Sequence, residues 1–488
     1  MDNKTASIAA GVTLGSPPKA PAARTERLLT APIVPTLLRL AAPNVLNLLA
    51  IVGMITFDGI FMGRLGADAL AGVSLVFPFV MFMQHAAASG MGGGVSSAIA
   101  RALGAGQRDR ANALAIHALM LAIGVSAVAT ASMLLCGPAV YRAMGGQGPV
   151  LTAALAYSNV VFSGVTAIWA LNIVASIVRG TGNMGLPAAV IVGSVLAHVV
   201  LSSTVIFGWG PVPALGPAGA GWGLIISFSA GTAVLLAALR KPTSLVTLQL
   251  RGASLQWKLF AEILKVGVPG MCNVALTNLS VVILTGIAGR LGRETAIGYA
   301  LGARLEYILI PLAFGFGTAI VAMVGTNWGA KQFERARRIA WVGGATVALT
   351  CGGIGLFFGL FGELWMGLFT EDAGIVRSGA SYLAIVGPAY GFYGLGMGLY
   401  FATQGLGQVL PTVAANGARF LFSTAAGVAA IVWLDAGATG FFAAIAGGFL
   451  LYGVLTVWAL LAVSAPPAAA QSRIRSRATP ARLSRLRR

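Results

Sequence analysis

Residues 56–66 read TFDGIFMGRLG, an acid followed by a short glycine-bracketed turn at the end of an apolar run that begins near Leu37. The last four letters return at 289–292, inside GIAGRLGRETAIG (286–298). In both places the arginine follows a proline by 21 residues, Pro43 before Arg64 and Pro269 before Arg290. Two further echoes share an offset of 225: GAGQRDRA at 104 with GAKQFERA at 329, and RGTGN at 179 with QGLGQ at 404. The second pair is followed each time by a proline, Pro187 and Pro411. Three echoes at nearly one offset mark a chain written twice.

The medium of that repeat is lipid. Of the 488 residues, 57% are hydrophobic and 9% charged, against about 25% charged in a soluble domain. The mean hydropathy is +0.86. Apolar stretches of span length, about 20 residues, recur along the whole chain, and the alternating pattern of a membrane β-barrel is not what they show. The apolar pattern predicts helices near 37–62, 73–99, 111–136, 151–178, 187–207 and 218–239, then 264–288, 298–324, 336–360, 379–402, 411–434 and 439–463.

A net charge of +19 in a soluble protein would suggest nucleic acid. Here its placement orients the chain in a membrane. With the N-terminus inside, 25 of the 32 Lys and Arg lie on the inner side, five outside (Arg64, Arg142, Arg290, Arg293, Arg377) and two within helices, Arg304 and Arg419. The positive-inside rule therefore predicts both termini in the cytoplasm of a bacterial-type inner (plasma) membrane. Residues 1–35, rich in Ala and Pro, read as a disordered cytoplasmic tail without the apolar core of a cleaved signal. Residues 465–488, with seven arginines, read as a second tail close to anionic lipid. Cys136, Cys272 and Cys351 fall within helices and read as packing residues.

Six helices per half send both halves into the membrane in the same direction. The expected fold is thus an all-α polytopic membrane protein, twelve transmembrane helices as two parallel six-helix repeats around a central cleft. The lobes span 36–240 and 264–464, joined by a cytoplasmic linker at 241–263 with a surface helix around LQWKLFAEILKVG. Gly104, Gly180, Gly329 and Gly405 read as structural, and Pro43, Pro269, Gly180 and Gly405 are the candidate hinges.

GRLGADALAG, SAIARALGAG, RGTGN, LGPAGAGWG and ARLEYILIPLAFGFGTAIVAMVGTNWGA (303–330) resemble the MATE family, the multidrug and toxic compound extrusion transporters. The resemblance runs from about Pro35 to Leu461 and is closer to the DinF-like than to the NorM-like branch. It implies an antiporter that expels organic compounds, cationic or amphipathic ones first, against entering H+ or Na+.

Of thirteen acidic residues, only Asp58 and Glu306 sit well inside apolar segments. A charge at mid-membrane costs about 2.5–3.5 kcal/mol on the insertion scale, so each asks for a partner, a watery cavity or a proton. Asp58 stands fifteen residues after Pro43, the distance at which the family's helix 1 aspartate follows its proline, and the resemblance implies that it holds the coupling ion. The bland alternative is an acid at a frayed helix end paired with Arg64. DinF-like members carry an Asn and, four residues on, an Asp-Pro on helix 5; here AHVVLSSTVIFG offers His198 and Ser202. A hard cation wants several oxygen ligands, and the set left is Asp58, Ser202, Thr204 and Asn172. The helix 7 glutamate of NorM-like members is absent too, replaced by Thr277 and Asn278. The reading is proton coupling at Asp58 with His198 beside it, Na+ at Asp58 being the alternative. His85 and His117 read as polar ties between helices.

Glu306 and Arg304 can line the cargo path or lock helix 8 through neighbours such as Arg419. Gln84, Asn278, Tyr390 and Tyr400 complete the candidate lining, among methionines and aromatics suited to flat cations. No cofactor and no resident metal are expected. The partners expected are small molecules and membrane lipid, not nucleic acid, and the fold would work as a monomer. A flippase or exporter of a lipid-linked or metabolite substrate is the rival reading. A membrane enzyme is disfavoured, since three scattered histidines and no HExxH, CxxC or paired carboxylates give no catalytic constellation.

Overall fold

In hydrocarbon every backbone N–H and C=O must find its partner within the chain, which leaves the apolar runs only the helix. The computed structural model describes residues 20–248 and 254–464, and the regular elements among them are helices. The first lobe comprises α1 (Ile33–Leu65), α2 (Ala67–Gly104), α3 (Arg108–Ala143), α4 (Gly148–Ser163 continued by Val165–Gly180), α5 (Gly185–Phe207) and α6 (Pro217–Leu239). The second comprises α7 (Trp257–Gly289), α8 (Arg293–Gly329), α9 (Phe333–Leu360), α10 (Ala373–Val386 continued by Tyr390–Leu406), α11 (Leu410–Val432) and α12 (Gly437–Val463). All twelve expected segments are helical, in two sets of six.

The helices outrun the apolar windows. The segment expected at 73–99 is helical over Ala67–Gly104, with Asp68 in its first turn and Arg101 in its last. Acids at helix starts and bases at helix ends suit the helix dipole, so the helix persists past the hydrocarbon boundary that hydropathy detects. Local breaks inside the helices, among them a 3-10 turn at Ala303–Leu305 in α8, carry no hydropathy signal. α4 bends by 46° at Gly164, where a side chain would collide with Ile225 of α6. α10 passes through a 3-10 turn at Gly387–Ala389, and α2 through a π-turn at Ala86–Met91.

Two tail and linker expectations need correction. Residues 20–30 of the presumed N-terminal tail form a helix, Ala20–Thr30. Leu28 is buried in the second-lobe core and its carbonyl accepts from Asn327 Nδ2 at 2.9 Å. Residues 1–19 and the arginine-rich 465–488 lie outside the described residues. The separate surface helix is instead the start of α7, which runs unbroken from Trp257. No glycine or proline interrupts it before Gly267, and Leu259 and Ile263 are buried rather than laid on a surface.

Each lobe has its own apolar core, and each core borrows from the other half of the chain. Leu37 and Ala41, early in α1, are buried in the second-lobe core; Leu259 and Ile263, early in α7, are buried in the first. Helices α1 and α7 therefore strap the lobes together on the side where both described chain ends lie. On that side α2 and α8 approach closely. A Cβ on Gly104 would collide with the Thr326 carbonyl, and one on Gly329 with the Arg101 carbonyl. These two contacts are equivalents at the offset of 225, so the repeat reappears as a two-fold pairing of glycine against backbone. Toward the opposite side, added Cβ atoms on Gly53, Gly59 and Gly63 of α1 and on Gly286 and Gly289 of α7 would meet nothing within 4 Å. The glycine-to-backbone contacts between α2 and α8 thus lie on the tail side.

Candidate coupling site and cleft

Asp58 comes from the last two turns of α1, and α5 packs against that stretch. His198 Nε2 stands 2.9 and 3.1 Å from the two carboxylate oxygens of Asp58. One turn on, the Ser202 hydroxyl lies 3.3 and 3.4 Å from the ring nitrogens of His198. The histidine is 1% exposed and the aspartate side chain 22%, so the pair has a fully buried member and a partly exposed one. Gly223 of α6 makes room, since a Cβ there would strike Ser202. Tyr157 of α4 is buried as well. Nothing in the sequence marked that tyrosine.

Asn172 is engaged elsewhere. Its amide donates to Gln84 Oε1 at 3.0 Å and to the Ile168 carbonyl at 2.9 Å, and both side chains are buried. Gln84 thereby joins α2 to α4. Thr204 donates to the Val200 carbonyl at 2.8 Å. Around Asp58 the structure gathers an imidazole and a serine rather than a cage of oxygens, and Arg64 is not its ion-pair partner.

The second membrane acid has a different environment. Glu306 Oε1 accepts from Tyr382 at 2.9 Å and from Tyr390 at 3.3 Å. Arg304 turns the other way, 5.4 Å above the Phe369 ring. Arg419 instead shares a cavity of about 20 Å³ with Glu306, Tyr299, Tyr393 and Thr277, room for a water molecule. Arg419 Nε donates to Asn416 Oδ1 at 2.8 Å, and Asn416 donates to Asn273 Oδ1 at 2.8 Å. This polar thread ties α7 to α11. Tyr400 accepts from Gln404 Nε2 at 3.0 Å deep in the second lobe. Asn278 is exposed and donates back to the Val274 carbonyl of its own helix.

The candidate hinges are built into packed helices. Pro43 and Pro269 lie inside α1 and α7. Gly180 packs against the Ser96 carbonyl, 2.9 Å from where its Cβ would sit, and Gly405 against that of Val321 at 3.0 Å, again at the repeat offset. His117 ties α3 to the start of α7: Nδ1 lies 2.7 Å from the Ala113 carbonyl and Nε2 accepts from the Gln256 N–H at 2.9 Å. His85 is exposed. The three cysteines are free thiols.

One charged residue in the cleft floor went unread. Arg179, counted with the inner-side bases, is 3% exposed at the lobe interface. An arginine at a helix end usually reaches water, which is why it drew no notice. The signal that could have found it was the RGTGN/QGLGQ echo, which sets an arginine opposite a glutamine.

The MatE family model matches residues 43–204 and again 269–428, one copy per lobe. The chain is 28% identical over 387 residues to a protein of Thermotoga maritima named as a probable multidrug resistance protein NorM, covering 77% of this chain and 80% of that one. It is 23% identical over 380 residues to an FAD transporter of Shewanella oneidensis, covering 77% and 82%. Among solved structures, a MATE in the bent conformation superposes with a TM-score of 0.83 at 23% identity, covering 90% of this chain and 97% of that chain. The outward-facing conformation of a multidrug resistance MATE family transporter gives 0.81 at 24% identity, covering 90% and 97%. At these identities the structural likeness is one of fold. Two matched repeats, two six-helix lobes and a cleft between them lead to one conclusion: the chain belongs to the MatE family of multidrug and toxic compound efflux transporters, and is a membrane transporter, not an enzyme.

Proposed function

We propose that the chain is a proton-driven antiporter of amphipathic organic compounds, nearer the DinF-like branch, working as a monomer by alternating access in a bacterial-type inner membrane. Both tails lie in the cytoplasm on this reading, so the cleft faces outward. The observation that carries it is the contact of His198 Nε2 with both oxygens of Asp58 at 2.9 and 3.1 Å. Desolvation disfavours an isolated charge, and a proton shared by a carboxylate and an imidazole is the ordinary remedy. With the cleft open outward, Asp58 takes a proton from the external side. The neutralised pair lets α1 and α5 settle together, and the lobes exchange openings. On the inner side the proton leaves and cargo binds in its place. Each elementary charge crossing 100 mV contributes about 2.3 kcal/mol.

Support for H+ over Na+ comes from the donor set. Hard cations prefer several oxygen ligands, and an imidazole nitrogen stands where one of those would be needed. Ethidium efflux from proteoliposomes under an imposed pH or Na+ gradient tests this. The wild type should respond to the pH gradient and Asp58→Asn should lose that response; equal drive by Na+ at fixed pH would overturn it. A second cargo reading, a metabolite in place of a foreign compound, draws on the Shewanella relative named as an FAD transporter. Offering a flavin nucleotide and ethidium to the same liposomes separates the two.

A further inference from the structure

We propose that Arg179 forms a recognition site for the anionic group, carboxylate or phosphate, of an aromatic cargo molecule at the floor of the cleft. The assignment rests on the exporter reading for its physiological sense and adds to it an anionic class of aromatic cargo beside the cationic dye. Arg179 ends α4 yet is 3% exposed, and its Nε and Nη1 have no hydrogen-bond partner among the described residues. The described ion pairs are Arg101–Glu262, Arg110–Glu262 and His198–Asp58, so the Arg179 guanidinium is not neutralised by any of them. A buried charge ordinarily has a partner.

The surroundings say what that partner is. Arg179 lines a small cavity between the lobes, and the cavity straddles the repeat axis. At the offset of 225, Arg179 faces its own equivalent, Gln404, while Ser176 corresponds to Phe401 and Ser96 to Val321. One wall thus carries the positive charge among serines, and the other carries two aromatic rings with Thr318 and Gln404 and no charge. Phe401 meets Phe314 edge-on at 5.5 Å, and Gln404 Oε1 and Ser96 Oγ are unpartnered beside them. A guanidinium presents a rigid fork that matches carboxylate and phosphate, and rings pack against rings. The π-turn of α2, whose Ser89 carbonyl accepts from Gln404 Nε2 at 3.0 Å, borders the same cavity. Its lining helices meet across the lobe interface, so the opening and closing of the lobes must reshape it. In this closed-floor state the space is about 10 Å³, and the full site forms as the floor parts.

Binding to the full chain in detergent micelles tests the assignment, with benzoate, its cationic counterpart benzylammonium, and acetate as probes read by thermal shift. Wild type should be stabilised by benzoate and not by benzylammonium, with acetate weaker than benzoate. Arg179→Gln, the residue the second repeat carries, should weaken benzoate about tenfold or more, and Arg179→Lys should keep part of the response. Equal responses to benzoate and benzylammonium, or none to benzoate, would overturn the site, and that wild-type comparison decides even if a variant fails to fold. Acetate matching benzoate would leave a bare anion site and overturn the cargo assignment. Because no gradient is involved, normal efflux by Asp58→Asn would remove the coupling reading and leave this site standing. Ethidium efflux without benzoate binding would do the reverse.

Discussion

At the scale of the residue, the chain's few polar groups in apolar helices divide into those held by neighbours and those left waiting. Glu306 is held. Replacing it with Ala would leave one donor short between the Tyr382 and Tyr390 hydroxyls, which now donate to it at 2.9 and 3.3 Å and lie 3.1 Å from each other, at about 1–3 kcal/mol for the buried group left unsatisfied. A lowered Tm in detergent should report that loss, and Glu306→Gln, which keeps an acceptor oxygen, should fall much less. On the proposed mechanism His198 is the partner of the acid that moves the proton, and His198→Ala should cut pH-driven ethidium efflux at least about tenfold, roughly the worth of one charge-assisted hydrogen bond. Protein that reaches the membrane at wild-type level with unchanged efflux would contradict that role. Asp58 and His198 were legible in the sequence because titratable residues are so scarce in its apolar runs. Tyr157 and the burial of Arg179 were not, since both depend on which helices turn toward each other.

At the scale of the element, hydropathy located twelve helices but not their ends or their breaks. The π-turn in α2, the bend of α4 at Gly164 and the unbroken run of α7 arise from packing between helices, and an apolar window records only solvent preference. The glycines were legible as structural because they repeat, and the structure supplies the reason. Gly104 and Gly329 sit where α2 and α8 press backbone to backbone. Gly329→Val should therefore keep the tail side from closing, since the rigid Arg101 carbonyl cannot yield to a branched side chain. A cysteine placed at buried Ala100 should then label from the tail side severalfold faster than in a Gly329 background. Unchanged labelling would show that the lobes close without that contact.

At the scale of the whole molecule, two repeats share a strap and a latch. The strap is the exchange of α1 and α7 between cores. The latch is Glu262 of α7, which pairs with Arg101 at 3.2 Å and Arg110 at 2.7 Å, while the Ser97 hydroxyl donates across the interface to the Gln404 carbonyl. Arg101 and Glu262 are partly shielded, 16% and 20% exposed, so Glu262→Gln should shift the balance toward a tail-side-open state without unfolding the chain. The duplication, the two lobes and the cleft were all legible in the sequence, because a repeated order of Gly and Pro survives where side chains drift. The exchange of α1 and α7 between cores was not, for it depends on three-dimensional crossing that no local pattern encodes.

On the proposed mechanism, protonation of the Asp58–His198 pair swaps the openings of the lobes. Spin labels at Ala67 and Arg293, exposed where α2 and α8 begin, report the separation of the lobes at the end away from the tails. Their distance distribution, measured in lipid nanodiscs by pulsed electron resonance at pH 5 and pH 8, should shift in the wild type and stand still in Asp58→Asn. A shift that persists in the variant, or none in the wild type, would contradict the claim.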